Sequence, residues 1–219
     1  MEIYKDLSSQ ASQEFEKLLN SQLSKVNIEE GKIIEGKINK ITETYWGYCY
    51  DSMKGSIVNQ IFATLPILMC IDNSNIILYN ECNITIELCK ILFYISCIDI
   101  WFFIFHYLFH KIPFLYKNIH KFHHRESIPA AVSALDAHII EHLFINIASI
   151  LIGPILCPGY YLTIYFYIFL TTANSCISHS GYNNIFVGIE HNIHHKLCKY
   201  NYGSGLYVLD KIFKTYKKY

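Results

Sequence analysis

Four apolar stretches interrupt this sequence of 219 residues and limit the folds that it can adopt. They lie at about 56–71, 88–105, 143–157 and 160–178. A helix of roughly 20 residues crosses a bilayer, so each stretch is a candidate span. A tight Cys-Pro-Gly turn separates the third stretch from the fourth. We predict an all-α integral membrane protein with about four transmembrane helices in two hairpins.

The first 45 residues are polar, contain one plausible amphipathic helix near SQEFEKLLNSQL, and lack the apolar core of a secretion signal. We therefore predict two parts, a polar N-terminal arm at 1–45 and a membrane-embedded domain at 46–219. A soluble helical protein with buried helices is the alternative interpretation.

The distribution of lysine indicates an orientation. Residues 72–87 contain no Lys or Arg, whereas the N-terminal arm, 111–125 and 196–218 all carry lysine. Cytoplasmic loops hold the excess of Lys and Arg, so an even number of crossings places these three regions in the cytoplasm. The 18 basic and 18 acidic side chains balance, and nothing in the composition indicates a nucleic-acid partner.

All eleven histidines lie after residue 105, and eight of them form three boxes. The boxes are HYLFH at 106–110, HKFHH at 120–124 and HNIHH at 191–195. Helix positions i, i+3 and i+4 share a face, so the histidines of one box can converge. Eight imidazoles exceed the needs of one ion, and imidazole suits iron, zinc, copper and nickel. We predict a cytoplasmic, histidine-box cap that binds two transition-metal ions.

Other metal sites explain this pattern less well. A zinc protease would show an HExxH pentad, which the sequence lacks, and a hydrolytic zinc site usually includes a carboxylate ligand. A b-type haem needs only two axial histidines. A histidine-rich transporter would place its ligands within the spans, whereas the three boxes flank the apolar stretches.

With these boxes in place, the sequence from about 98 to 215 resembles the fatty acid hydroxylase and sterol desaturase superfamily of membrane oxygenases. An acidic residue, Asp99, stands seven positions before the first box, and IPFLYKNIHKFHH resembles the second. HIIE at 138–141 stands where the family has H-P-x-E, and HSGY at 179–182 is intact. The last box is followed by NYG at 201–203 and by Asp210, Phe213 and Thr215.

Four residues depart from the family pattern. Tyr107 replaces an arginine, Ile139 a proline, Leu209 a tryptophan and Lys214 a glycine. These departures leave every box histidine in place, so they bear on subfamily and activity level more than on metal binding.

The resemblance implies a centre of two iron ions, with zinc as a possible replacement, that activates O2 and attacks a C–H bond of a lipid. We predict that Asp99 and Glu141 orient ligand imidazoles, and that Asn201–Gly203 forms a turn in which glycine permits a positive φ. His138 is a candidate tenth ligand, and His142 is expected to pack nearby. The nine main predicted ligands are His106, His110, His120, His123, His124, His179, His191, His194 and His195.

The predicted activity is that of an oxidoreductase, an O2-dependent lipid hydroxylase or desaturase acting on a sterol, fatty acyl or sphingoid substrate in lipid biosynthesis. No dinucleotide fingerprint is present, so the resemblance implies an external electron donor, either a b-type cytochrome or an NAD(P)H-dependent reductase. It also implies the endoplasmic reticulum membrane. A dizinc membrane hydrolase and an inactive metal-binding homologue are the alternatives.

Overall fold

The structure, a computed structural model, describes residues 32–74, 78–79, 82–125, 129–181 and 190–218. These residues are mostly helical, and their only strands are two-residue pieces, β1 (Leu78–Tyr79) and β2 (Gly159–Tyr160), paired in parallel. The predicted all-α class is confirmed. The amphipathic helix predicted in the N-terminal arm lies outside the described residues, and the division at residue 45 stays a prediction.

The described residues contain nine α-helices. In chain order these are α1 (Lys32–Asn59), α2 (Leu65–Ser74), α3 (Ile84–Lys111), α4 (Pro113–Asn118), α5 (Ile139–Glu141), α6 (Ala148–Leu156), α7 (Tyr161–Ser178), α8 (Glu190–Leu197) and α9 (Val208–Ile212). Short π-helical segments, Gln60–Thr64 and His142–Ile147, join α1 to α2 and α5 to α6. Two 3₁₀ turns cover His120–Arg125 and Ala131–Ser133.

Three helical stretches of the described chain are long and apolar enough to cross a membrane: Tyr45–Ile71, Ile84–Lys111 and Ile139–Leu156. The first begins at Tyr45 rather than at 56 and ends at 71, as the predicted stretch does. Pro66 lies within this span and does not end the helix. Proline has no N–H and collides with the carbonyl four residues earlier. That residue, Phe62, lies in a π-helical segment, whose wider turn accommodates the proline.

The fourth predicted span forms α7, a helix of 18 residues that is not among the three candidates. Its C-terminal half, TTANSCIS, is rich in small polar residues, which lowers its hydropathy. Large apolar side chains point outward elsewhere in the fold: Phe62 is 74 % exposed, Leu92 67 % and Phe169 66 %. Such surfaces require an apolar environment, and the chain is a helical membrane protein.

Helix α3 packs closely against α6 and α7. A Cβ added to Gly153 of α6 would lie 2.9 Å from the Cα of Tyr94, so only glycine permits this approach. The buried Tyr94 hydroxyl donates to the Cys157 carbonyl at 2.7 Å, and the Tyr167 hydroxyl donates to the Tyr94 carbonyl at 3.3 Å. These contacts fix α3, which carries the first histidine box at its C-terminal end.

Candidate metal centre

Nine of the described histidines form two compact groups. In each group, one candidate ligand atom per residue lies within 4.8 Å of all the others. The first group contains His106, His110, His120, His124 and His194. The second group contains His123, His179, His191 and His195. These are the nine main histidines that the sequence analysis named as candidate ligands.

Each HxxHH pentad is divided between the two groups. His120–Arg125 is a 3₁₀ turn rather than the α-helix expected from the spacing, and His124 has non-helical dihedrals (φ −86, ψ 20). The kink sends His123 to the second group, whereas His124 joins the first. The groups adjoin, because the ring centroids of His124 and His195 are 4.4 Å apart. The two adjoining groups are two candidate sites for a metal ion.

The distances between ring nitrogens within the groups are short. In the first group, His106 Nε2 lies 3.2 Å from His120 Nε2, and His110 Nε2 lies 3.0 Å from His194 Nε2. In the second, His179 Nε2 lies 3.1 Å from His191 Nε2. Two imidazole nitrogens about 2.1 Å from one ion are separated by about 3.0 Å at a right angle and about 3.4 Å at a tetrahedral angle. The observed spacings suit a shared ion.

Backbone carbonyls fix the tautomers of several of these rings. A carbonyl only accepts, so the nitrogen facing it carries the proton. His106 Nδ1–H donates to Tyr202 O at 2.7 Å, and His194 Nδ1–H donates to Tyr200 O at 2.7 Å. His179 Nδ1–H donates to the carbonyl of Ser175, at 2.8 Å.

A neutral imidazole carries one proton, and here it is on Nδ1. The Nε2 atoms are therefore unprotonated, and they face one another. His123 Nδ1–H donates to the Asp136 carbonyl at 3.3 Å, and its Nε2 lies 3.2 Å from that of His179. Two lone pairs at this distance repel, since neither nitrogen has a proton to donate. His195 adds a buried Nδ1 without a hydrogen-bond partner. A cation among the Nε2 atoms converts this repulsion into coordination, so the donor set fits bound metal.

Burial keeps the rings outside the candidate spans neutral. Desolvation lowers the pKa of His123 to about 4 and the pKa of His179 to about 3. It also lowers the pKa values of His191, His194 and His195 well below the usual value for histidine. Neutral imidazole is the form that binds transition metals.

The predicted orienting residues have different surroundings. His120 Nδ1–H donates to Glu141 Oε1 at 2.8 Å, which is the arrangement predicted for this carboxylate. Asp99 instead lies beside the backbone N–H groups of Tyr207 and Val208. The role of Asp99 in orienting an imidazole stays a prediction.

Two histidines lie in neither group. His138 caps α5, where its Nδ1 accepts from the Ile140 N–H at 3.2 Å. His142 Nε2 contacts Thr64 Oγ1 at 2.9 Å, as expected for a packing residue. The structure therefore brings together the nine main candidates but not His138, the candidate tenth.

The turn at 201–203 positions the first group, but its glycine acts differently from the prediction. The residue with positive φ is Asn201 (φ 57), not Gly203. A Cβ on Gly203 would lie 3.0 Å from Asp210 Oδ2, so the glycine is needed for space. Asp210 accepts from the N–H groups of Tyr202 at 2.9 Å and Gly203 at 2.7 Å. It thereby holds the Tyr202 carbonyl that orients His106.

Residues of α1 fix the second group through a loop, which the sequence did not indicate. Arg125 bridges Ser52 Oγ, at 2.7 Å, and the carboxylate of Asp136, whose carbonyl accepts from His123. Asn59 donates to the carbonyls of Leu135 and Ala137, at 2.9 Å each. The only sequence signal is the helical spacing of Ser52, Ser56 and Asn59 in α1, and the partners of Ser56 and Asn59 are backbone carbonyls.

A cavity of about 460 Å³ reaches the second group from the helices. Its walls include the apolar side chains of Ile91, Ile95 and Ile150, and its lining also includes His179 and His191. A cavity with mostly apolar walls and a few polar side chains suits an apolar ligand that carries a few polar groups.

The fold and the two histidine groups define a helical membrane protein with a candidate dinuclear metal centre. The sequence model of the fatty acid hydroxylase family matches residues 91–215, more than half of the chain. The chain belongs to this family, as the histidine boxes predicted.

Curated relatives agree with this assignment. Fatty acid hydroxylase ahd1 of Mycosarcoma maydis is 37% identical over 123 residues, which cover 55% of this chain and 32% of the relative. Methylsterol monooxygenase 2-2 of Arabidopsis thaliana is 32% identical over 143 residues, 59% of this chain and 53% of the relative. A very-long-chain aldehyde decarbonylase of Oryza sativa is 29% identical over 148 residues, 62% and 55% respectively.

The chain thus spans between 32% and 55% of the length of these relatives. No solved structure gives a significant match.

Proposed function

We propose that the chain is an O2-dependent lipid hydroxylase or desaturase whose nine grouped histidines bind two iron ions. The observation that carries this proposal is the convergence of unprotonated ring nitrogens in two adjoining groups. Family membership supports it, because relatives are named hydroxylases and monooxygenases. The proposed substrate is a sterol, fatty acyl or sphingoid lipid.

Bound iron would supply the activation of O2 that cleavage of an unactivated C–H bond requires. The chain's own residues would do the rest. Carbonyl acceptors and Glu141 hold the rings in orientation. The cavity binds the lipid beside His179 and His191, and its apolar walls exclude water.

A dizinc hydrolase fits the geometry less well. Both groups consist of histidine alone, whereas hydrolytic zinc sites usually include a carboxylate ligand. The Glu141 carboxylate contacts His120 at Nδ1, not at the Nε2 that faces the other rings of its group. The histidine-only donor set therefore favours the oxygenase.

Electrons would come from a b-type cytochrome or an NAD(P)H-dependent reductase on the cytoplasmic side of the endoplasmic reticulum membrane. Exposed lysines adjoin the boxes in sequence, among them Lys111, Lys121 and Lys196. They offer positive charge to an acidic donor.

The test is turnover by the purified protein in proteoliposomes with a cytochrome donor and its reductase. Sterol, acyl and sphingoid lipids are supplied under isotopically labelled O2, and products are analysed by mass spectrometry. We expect either one labelled oxygen in the product or the loss of two hydrogens, and no product without O2.

The matched variants are His179→Ala, which removes a member of the second group, and His138→Asn, which keeps a helix-capping side chain outside both groups. We expect His179→Ala to abolish turnover and His138→Asn to retain it. Substrate hydrolysis that continues without O2 would instead support the hydrolase.

A further inference from the structure

Four apolar side chains on or beside α9 face outward. Leu206, Val208, Ile212 and Phe213 are all exposed, Ile212 to 65 % and Phe213 to 63 %. We call these four side chains the α9 surface. Single exposed apolar residues are ordinary, whereas four within a segment of eight residues form a patch that marks a contact with a protein or a membrane.

Contacts with α3 place the α9 surface within the depth of a candidate span. The start of α9 lies beside the carboxyl of Asp99, and the ring of Phe213 stacks on that of Phe103 with centroids 5.5 Å apart. Asp99 and Phe103 lie twelve and eight residues before Lys111, the last residue of α3. These separations correspond to about 18 and 12 Å of helix. Helix α9 therefore packs inside the length of the span Ile84–Lys111 rather than beyond its end.

The neighbouring exposed side chains of α3 are also apolar. Ile100 and Ile104 follow Asp99 and Phe103 directly in the sequence, and both are exposed. A bilayer that covers these side chains of α3 therefore has the α9 surface at the same depth.

Lysines on the same segment fit a position near the lipid headgroups. Lys211 and Lys214 are exposed. The stem of a lysine can lie along apolar surface while its ammonium group reaches the headgroups, and anionic headgroups attract it. Apolar side chains combined with lysines are typical of a segment at the boundary between headgroups and acyl chains.

We propose that the α9 surface is embedded in the lipid leaflet that surrounds the C-terminal half of α3, where phospholipid acyl chains cover it. This membrane contact depends on neither bound metal nor turnover. Leu206 also lines the cavity, so the contact brings the cavity next to the acyl chains of the leaflet.

The test is photolabelling of the full-length protein in vesicles of phosphatidylcholine and phosphatidylglycerol. The vesicles contain a phosphatidylcholine with a diazirine in its acyl chain, and labelled peptides are quantified by mass spectrometry. The peptide that contains Ile100 and Ile104 is the reference. We expect the peptide covering 206–213 to carry at least about one third of the label of the reference. A lower yield in the wild type would overturn the proposal.

Two variants at one exposed position sharpen the test. Ile212→Glu places a carboxylate on the α9 surface and should reduce labelling of 206–213 by about fivefold or more, because a charge draws the segment toward water. Ile212→Leu keeps an apolar side chain and should label as the wild type does. The reference peptide, measured in the same samples, shows that α3 remains in the bilayer. Unchanged labelling of 206–213 in Ile212→Glu would overturn the proposal.

A second copy of the chain is the other partner that could cover this surface. An amine-reactive cross-linker is therefore applied to the same vesicles. Cross-links between Lys211 residues of two chains, without lipid label on 206–213, would assign the α9 surface to a dimer and overturn the proposal.

Discussion

At the scale of single residues, the histidine groups depend on partners that hold each ring in one tautomer. Most of these partners are backbone carbonyls, such as those of Tyr200, Tyr202 and Ser175. Glu141 is the side chain that performs this role for His120. The rings are therefore oriented by the fold itself, and one carboxylate allows the effect to be tested by substitution.

Replacing Glu141 by leucine should weaken metal binding, because His120 loses the acceptor that orients its ring and raises its basicity. Loss of such a partner lowers metal affinity by about 10–100-fold. Glu141→Gln retains an acceptor oxygen and should have a smaller effect. Chelator competition measures both, and equal affinities of wild type and Glu141→Leu would contradict the role of this carboxylate.

Lys214 stands where the family usually has glycine. Its backbone φ is 58, a left-handed value that glycine adopts without strain, which explains why glycine is usual at this position. Left-handed backbone is strained for side chains other than glycine. Lys214→Gly should therefore raise the free energy of unfolding by up to about 1 kcal/mol. The control Lys211→Gly lies within α9 and should lower it by about 1 kcal/mol. Thermal unfolding in detergent measures both, and shifts of the same sign would be inconsistent with this explanation.

At the scale of elements, the first candidate span has a structural role in the metal centre. One face of α1 carries Ser52, Gly55, Ser56 and Asn59, and these residues contact the loop at 132–137. A Cβ on Gly55 would collide with the Asp136 side chain, and Ser56 donates to the Val132 carbonyl at 2.8 Å. This loop supplies the carbonyl that orients His123. The helix thus supports the second group without contributing a ligand.

Asn59→Leu should loosen this loop, because it leaves the carbonyls of Leu135 and Ala137 without their donor. Each unsatisfied buried acceptor costs about 1–3 kcal/mol. We expect a lower unfolding temperature and earlier loss of metal from the second group than from the first. Ile57→Leu, on an exposed position of α1, serves as the control. If Asn59→Leu released both metals together, the loop would not act on the second group selectively.

For the whole molecule, apolar length and box spacing predicted the helical membrane fold and the convergence of the eight box histidines, since both are local signals. His179 was added by the family resemblance at HSGY. The start of the first span at Tyr45 was missed because Asp51, Ser52 and Lys54 interrupt the apolar residues before 56.

Division of the first pentad was missed because it depends on a kink at His124. The second pentad is divided within a regular helix, α8. The backbone carbonyls that orient the rings could not be predicted, because the type of side chain does not show which carbonyl will face a histidine. The cytoplasmic orientation of the boxes stays a prediction.

The most direct test of the central claim is the amount of metal bound by the folded protein. The full chain is purified in detergent under iron-replete conditions beside a His123→Ala, His194→Ala double variant, which removes one histidine from each group, and His138→Asn as control. The account predicts two metal ions per wild-type and His138→Asn chain and markedly fewer in the double variant. Folded wild-type protein without stoichiometric metal would contradict it.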